Sequence, residues 1–154
     1  MAPFLVQVVA TILVRWFVHS WRDAIRVGLG IMFFFTAASH FSGLKHDLAA
    51  MIPPPFTGEL SVIYVTGVLQ IAGAMGLMMP RTRMWAAWGL VAMLVGLFPA
   101  NVYAAMTGVT LGGSPATSLW IRTPLQLFWI ALLLREAIVP MESTGYAGRQ
   151  VEAV

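Results

Sequence analysis

Apolar residues in this chain do not alternate with polar ones; they run in long blocks divided by short polar or proline-bearing stretches. A helix crossing ~30 Å of hydrocarbon needs roughly 20 mostly apolar residues at 1.5 Å rise each. Four blocks have that character: Ala24–His40, Leu60–Met79, Met84–Ala105 and Ile121–Val139. Pro80 and Pro140 end the second and fourth, because proline lacks the N–H that would continue a helix. A fifth block, Pro3–Val18, is apolar for about three turns and then meets Arg15 and His19. It fits a further span with a snorkelling basic end, or a helix lying flat in the interface. A signal peptide is the poorest fit, since Arg15 follows the apolar run and Trp16, Phe17 and Trp21 are not small.

The predicted architecture is therefore all-α. It is a transmembrane four-helix bundle with an additional N-terminal hydrophobic helix, spanning or interfacial. A single transmembrane domain takes up residues 1–154, with the N-terminal helix in 1–20, the four spans in 24–139 and a tail in 140–154. Pro80-Arg81-Thr82-Arg83 reads as a tight basic turn. Phe41–Glu59 contains Pro53-Pro54-Pro55 and predicts extended backbone. Met106–Trp120, with Gly108, Gly112, Gly113 and Pro115, predicts a flexible loop.

Composition narrows the class further. Of 154 residues, 59% are hydrophobic and only 10% charged, against about 45–50% and about 25% in soluble domains. Disorder is excluded, and a soluble surface has too few charges to coat it. There is no cysteine, which removes disulfides, iron–sulfur clusters and thiol catalysis. A net charge of +3 is compatible with nucleic acid only if the basic residues form one patch. Instead they follow a membrane rule. With alternate connections on opposite sides, Arg15, Arg22, Arg26, Arg81, Arg83, Arg135 and Arg149 share one side, and Lys45 and Arg122 the other. The positive-inside rule makes the first side, and the C-terminus with it, cytoplasmic. No nucleic-acid partner is expected, and the surrounding partner is the lipid bilayer.

Polar groups within apolar spans either face another helix or line a site. Thr36 and His40 are four apart, as are Arg122 and Gln126, with Trp129 next. Glu59, Thr66, Gln70 and Gly73 follow spacings of seven, four and three, and Asn101 lies just past Pro99. Topology puts His40, Asn101, Arg122 and Gln126 in the outer leaflet, with Gln70 below them, ~15 Å into its span. The expected site is a polar pocket that opens outward between the helices. Its candidate ligand-binding residues are His40, Thr66, Gln70, Phe98, Asn101, Arg122, Gln126 and Trp129. Trp129 and Phe98 would flank a ring, and the polar groups would orient its head.

Plainer roles compete at each position. Thr66 and Gln70 serve equally as interhelical hydrogen-bond glue. Arg122 suits a lipid headgroup, and Trp129 suits packing within the bundle. Pro99 kinks its helix and frees carbonyls for Asn101 to satisfy. Gly73 and Gly76, and likewise Gly89 and Gly96, allow close helix approach. No paired carboxylates, no Ser/His/Asp set and no metal-ligand set present themselves, so neither a catalytic residue nor a metal ligand is named. Gly28-Leu29-Gly30 lies mid-span and is not a dinucleotide fingerprint.

The segments FFFTAASHF, DLAAMIPPPF, VTGVLQIAGAMGLMMPRTRMWAAWGL, FPANVYAA and RTPLQLFWIALLL, in that order, resemble the DoxX family of small bacterial membrane proteins. The resemblance runs from about Ile25 to Leu134. It implies a four-helix transmembrane bundle in the bacterial cytoplasmic (inner) membrane. It also implies a non-catalytic subunit of a redox, sulfur-metabolism or oxidative-stress assembly near the quinone pool. Related proteins include a subunit of a thiosulfate:quinone oxidoreductase, and some members associate with sulfurtransferase-like and superoxide-dismutase partners. The expected partners are thus a membrane or cytoplasmic redox protein and, as an option, further copies of the chain. The alternative is an oxidoreductase module whose outer pocket binds quinone or a similar small apolar ligand; a small transporter ranks below both. Members often carry glutamate where this chain has Gln70, and glutamine cannot ionise. That tells against a proton relay there but leaves hydrogen bonding to a neutral ligand intact.

Overall fold

The computed structural model describes residues 2–115 and 117–138. They form six helices: α1 Ala2–Arg15, α2 Trp21–Phe41, α3 Lys45–Ala50, α4 Leu60–Met78, α5 Arg83–Thr107 and α6 Leu119–Ile138. A two-residue hairpin, β1 Thr110–Leu111 with β2 Ser114–Pro115, lies between α5 and α6. The expected stop at Pro140, the tail in 140–154 and Arg149 lie outside the described residues.

The all-α class is borne out, and its core is shared by four helices. Leu29, Met32 and Phe33 of α2, Ala74 and Leu77 of α4, Ala87 and Leu90 of α5, and Leu133 and Ala137 of α6 pack into one buried cluster. Glycines let these helices meet. A Cβ on Gly67 would lie 2.8 Å from the His40 Cβ, and one on Gly76 would lie 2.7 Å from the Ala86 Cβ. Between lipid-immersed helices such contact yields dispersion energy, since the lipid tails are as apolar as the core. The outer faces are apolar too: Val65, Val68, Val95 and Leu127 are each more than half exposed. A soluble monomer rarely carries so extended an apolar surface.

Three helices, α2, α4 and α5, are long and apolar enough to cross a membrane, as a membrane protein's are. The fourth expected span, α6, matches them in length at 20 residues, but Arg122, Arg135 and Glu136 make it less apolar. The N-terminal helix α1 has 14 residues, about 21 Å at 1.5 Å per residue, which is short of the hydrocarbon thickness. It packs on α2, where Gly28 admits Thr11, and it also reaches α6, where Phe4 and Phe128 meet edge to face at 6.1 Å.

Local sequence sets the ends of these elements. Ser20 caps α2, its hydroxyl accepting from the Asp23 N–H. Gly108, at φ 69°, closes α5 in the left-handed conformation that lets its N–H bond back to the Ala104 carbonyl. The connections differ from expectation in two places. Pro53–Pro55 is not extended: it contains a cis Pro54–Pro55 bond, and the Phe56 N–H donates to the Pro53 carbonyl, which closes a turn. Prolines lack N–H groups but keep carbonyls that a following residue can use. The glycine-bearing loop is partly regular, because Gly112 and Gly113 take φ 60° and 77°, as a tight hairpin turn requires. The Gly112 N–H donates to Asp47 Oδ2 at 2.8 Å, which ties the hairpin to α3.

Candidate functional site

The polar residues of the spans separate into three sets. The first joins α5 to α6 at the hairpin end of the bundle. Arg122 Nη1 donates to Asn101 Oδ1 at 2.9 Å, Asn101 Nδ2 donates to Gln126 Oε1 at 3.2 Å, and Gln126 Nε2 donates to the Leu94 carbonyl at 2.7 Å. The four-residue spacing of Arg122 and Gln126 puts both on the α6 face that meets α5. The last bond has a local cause. Pro99 stands inside α5 and removes the backbone donor of the neighbouring Val95 carbonyl, so the bond to Leu94 falls in the turn that the proline weakens. Gln126, not Asn101, is the side chain that donates to a carbonyl in this turn. Asn101 instead bridges the two side chains of α6.

The second set lies where α2 meets α4. The His40 ring is buried, and its Nδ1 donates to the Thr36 carbonyl at 3.2 Å. The Thr66 hydroxyl turns back on its own helix, to the Val62 and Ile63 carbonyls at 2.9 Å each. Gln70 is 6% exposed, and its Oε1 is buried without a hydrogen-bond partner among the described residues. No hydrogen bond links His40, Thr66 or Gln70 to the Arg122 relay among the described residues.

In the third set, Trp129 Nε1 donates to Gln7 Oε1 of α1 at 2.6 Å, and Gln7 is itself buried. Trp129 is therefore an α1 anchor as well as a neighbour of the core, and its indole N–H is already occupied. Phe98 is half-buried on α5. The eight expected site residues do not form one hydrogen-bonded pocket: three form the relay, three lie at the α2–α4 contact, Trp129 faces α1, and Phe98 belongs to none of these networks.

Two of the glycine pairs also differ. Gly73 and Gly76 receive Leu90 and Ala86 as close neighbours, whereas a Cβ on Gly89 or Gly96 would meet nothing within 4 Å. Spacing alone does not say which face of α5 a helix covers. Gln7 and Glu136 were absent from the expected site, and both are buried. A lone glutamine in the apolar block 3–18 and a carboxylate inside the last apolar run were the available signals.

Among the described residues, no group of three or more histidine, aspartate or glutamate side chains gathers that could hold a metal ion. The relay can position and donate: Arg122 brings a fixed charge, and Asn101 and Gln126 hold its orientation. No curated protein and no solved structure matches the chain. Residues 29–137, which contain the relay, the α2–α4 set and Glu136, match the family described as Domain of unknown function (DUF8561), and the chain belongs to that family.

Proposed function

We propose that this protein is a DoxX-like, non-catalytic membrane subunit of a redox or sulfur-metabolism assembly beside the quinone pool. In this reading α6 crosses the bilayer as a fourth span, the membrane is the bacterial cytoplasmic one, and the C-terminus faces the cytoplasm. The observation that carries it is the use of the interior polar groups. Arg122, Asn101, Gln126, Gln7 and Trp129 bond to one another and so fix helices in place. Such bonds stabilise a scaffold and leave the chemistry to a partner. The order of the DoxX-like segments supports the same class of assembly.

A second reading keeps a ligand. The Gln70 carboxamide oxygen is buried without a partner among the described residues, and a neutral ligand between α2 and α4 would supply a donor to it. Purification of the full chain from its native membrane in mild detergent separates the two. The subunit reading expects a stable stoichiometric partner bearing a redox centre and far less than one quinone per chain. About one quinone per chain, lost on Gln70→Leu, would overturn it in favour of the ligand module.

A further inference from the structure

The turn between α1 and α2 forms a cavity that the subunit role does not use. Ile12, Arg15, Trp16 and Trp21 line it, and it is open, with a volume of about 510 Å³. Two of its walls are large rings that face outward: Trp16 is 85% exposed and Trp21 60%. Trp21 is the first residue of α2, one of the three helices long and apolar enough to cross a membrane. The turn therefore lies where hydrocarbon gives way to headgroups. Tryptophan favours that level, because its face is apolar and its N–H edge is polar.

The charge in the cavity is Arg15. Its guanidinium lies over the Trp21 ring, 5.1 Å from the centroid, and its Nη1 donates to the Val18 carbonyl at 2.8 Å. These two contacts hold the group in place but leave its charge uncompensated. Arg15 makes no ion pair among the described residues; Asp23 and Glu136 pair with Arg26. The Arg15 Nε is buried with no hydrogen-bond partner among the described residues. A half-buried, unpaired guanidinium is costly, and an anion with several acceptor oxygens offsets that cost.

A stripe of apolar side chains leads away from the charge. Leu5, Val9, Ile12 and Trp16, at spacings of four, three and four, share one face of α1 and the turn after it, and each is more than half exposed. From Leu5 to Trp16 the stripe runs ~16 Å at 1.5 Å per residue, about one leaflet of a ~30 Å hydrocarbon layer. A cation at the headgroup level with a leaflet-length apolar track beneath it complements an amphiphile. A free anion would use the cation and leave the track unmatched.

We propose that the cavity of Arg15, Trp16 and Trp21 holds the phosphate of an anionic phospholipid, with an acyl chain along the α1 stripe. A choline headgroup would set its own cation against Arg15, so lipids of net negative charge are preferred. The site rests on the membrane setting and not on the subunit reading.

The test uses the full chain in nanodiscs of mixed phosphatidylglycerol and phosphatidylcholine, with the lipids that stay bound counted by native mass spectrometry. The expected result is retained phosphatidylglycerol, enriched over phosphatidylcholine by about fivefold, as one arginine near an anionic lipid supplies. Arg15→Gln abolishes the enrichment. Trp21→Leu keeps the charge but removes the ring beneath it, and lowers the enrichment too. Arg81→Gln removes an equal charge from the exposed turn before α5 and leaves the enrichment unchanged. Melting at the wild-type temperature in pure phosphatidylcholine shows that each variant folds; should Arg15→Gln fail to fold, Trp21→Leu carries the test. Equal losses in Arg15→Gln and Arg81→Gln would mean diffuse attraction between charges and overturn the proposal, as would full enrichment in Arg15→Gln or Trp21→Leu. A wild-type preference for phosphatidylcholine overturns it in favour of a choline site. A rise in melting temperature on adding inorganic phosphate to pure phosphatidylcholine nanodiscs, lost in Arg15→Gln, overturns it in favour of a free anion.

Discussion

Trp129 and Gln7 are joined by a 2.6 Å hydrogen bond across 122 positions of sequence, and this bond fastens the N-terminal helix to the last one. Gln7 is buried and Trp129 half-buried, so the loss of Trp129 strands the Gln7 carboxamide oxygen away from water. Gln7→Leu and Trp129→Phe should each lower stability, and the double variant should lose less than the sum. A coupling of about 0.6 kcal/mol, up to about 1.7, is expected from interhelical bonds in membranes. Denaturant unfolding of the four proteins in one detergent measures it. Strict additivity would mean that the bond contributes nothing and that α1 is held by packing alone.

Gln126 is the hub of the α5–α6 relay, since it donates to Leu94 and accepts from Asn101. Gln126→Leu removes both bonds and leaves the Leu94 carbonyl without its side-chain donor. A loss of about 1–2 kcal/mol is expected. Arg122→Gln should cost less, because Arg122 ends the relay and a shorter amide can still donate to Asn101. Thermal unfolding followed by tryptophan fluorescence ranks the two, and the reverse order would show that the arginine, not the glutamine, holds the helices together.

The glycines of α4 and α5 look alike in sequence but predict opposite outcomes. Gly67→Ala would drive a Cβ to within 2.8 Å of the His40 Cβ and 2.9 Å of the Phe41 ring, so α2 and α4 must separate. Such overpacking costs about 1–3 kcal/mol. Gly96→Ala meets open space, and the gain in helix propensity should stabilise by about 0.5–1 kcal/mol. The same unfolding measurement reads both signs. Destabilisation by Gly96→Ala in the detergent-solubilised protein would mean that another surface closes on that face of α5.

The blocks of apolar residues made the bundle legible, because length and proline stops are local properties: α4 begins and ends within a residue of its expected bounds. The α5–α6 relay was legible in its members, since the topology brings Asn101, Arg122 and Gln126 to one end. Its internal wiring was not, because which amide answers the Leu94 carbonyl depends on how two helices are rotated about their axes. That His40 and Gln70 make no hydrogen bond to the relay among the described residues was not legible, for a related reason. An expected depth along a span does not say which neighbouring helix a side chain meets. Glu136 is not legible as a partnered group because its partners sit more than 100 positions earlier, on α2. The hairpin at Gly112-Gly113 carried a recognisable turn signal within a segment that composition alone makes a loop.

Gln70 supplies the sharpest test of what the α2–α4 contact is for. Its Oε1 is buried and has no hydrogen-bond partner among the described residues, and an amide held so in an apolar setting opposes folding. Methionine has nearly the same shape and no such group. If the contact is purely structural, Gln70→Met should raise stability by about 1 kcal/mol, and Gln70→Glu should lower it by burying an ionisable carboxyl. The melting temperatures of the purified variants in detergent decide the matter. A fall with methionine would show that the amide is satisfied by a bound molecule, and the position would then belong to a ligand site, not to the scaffold.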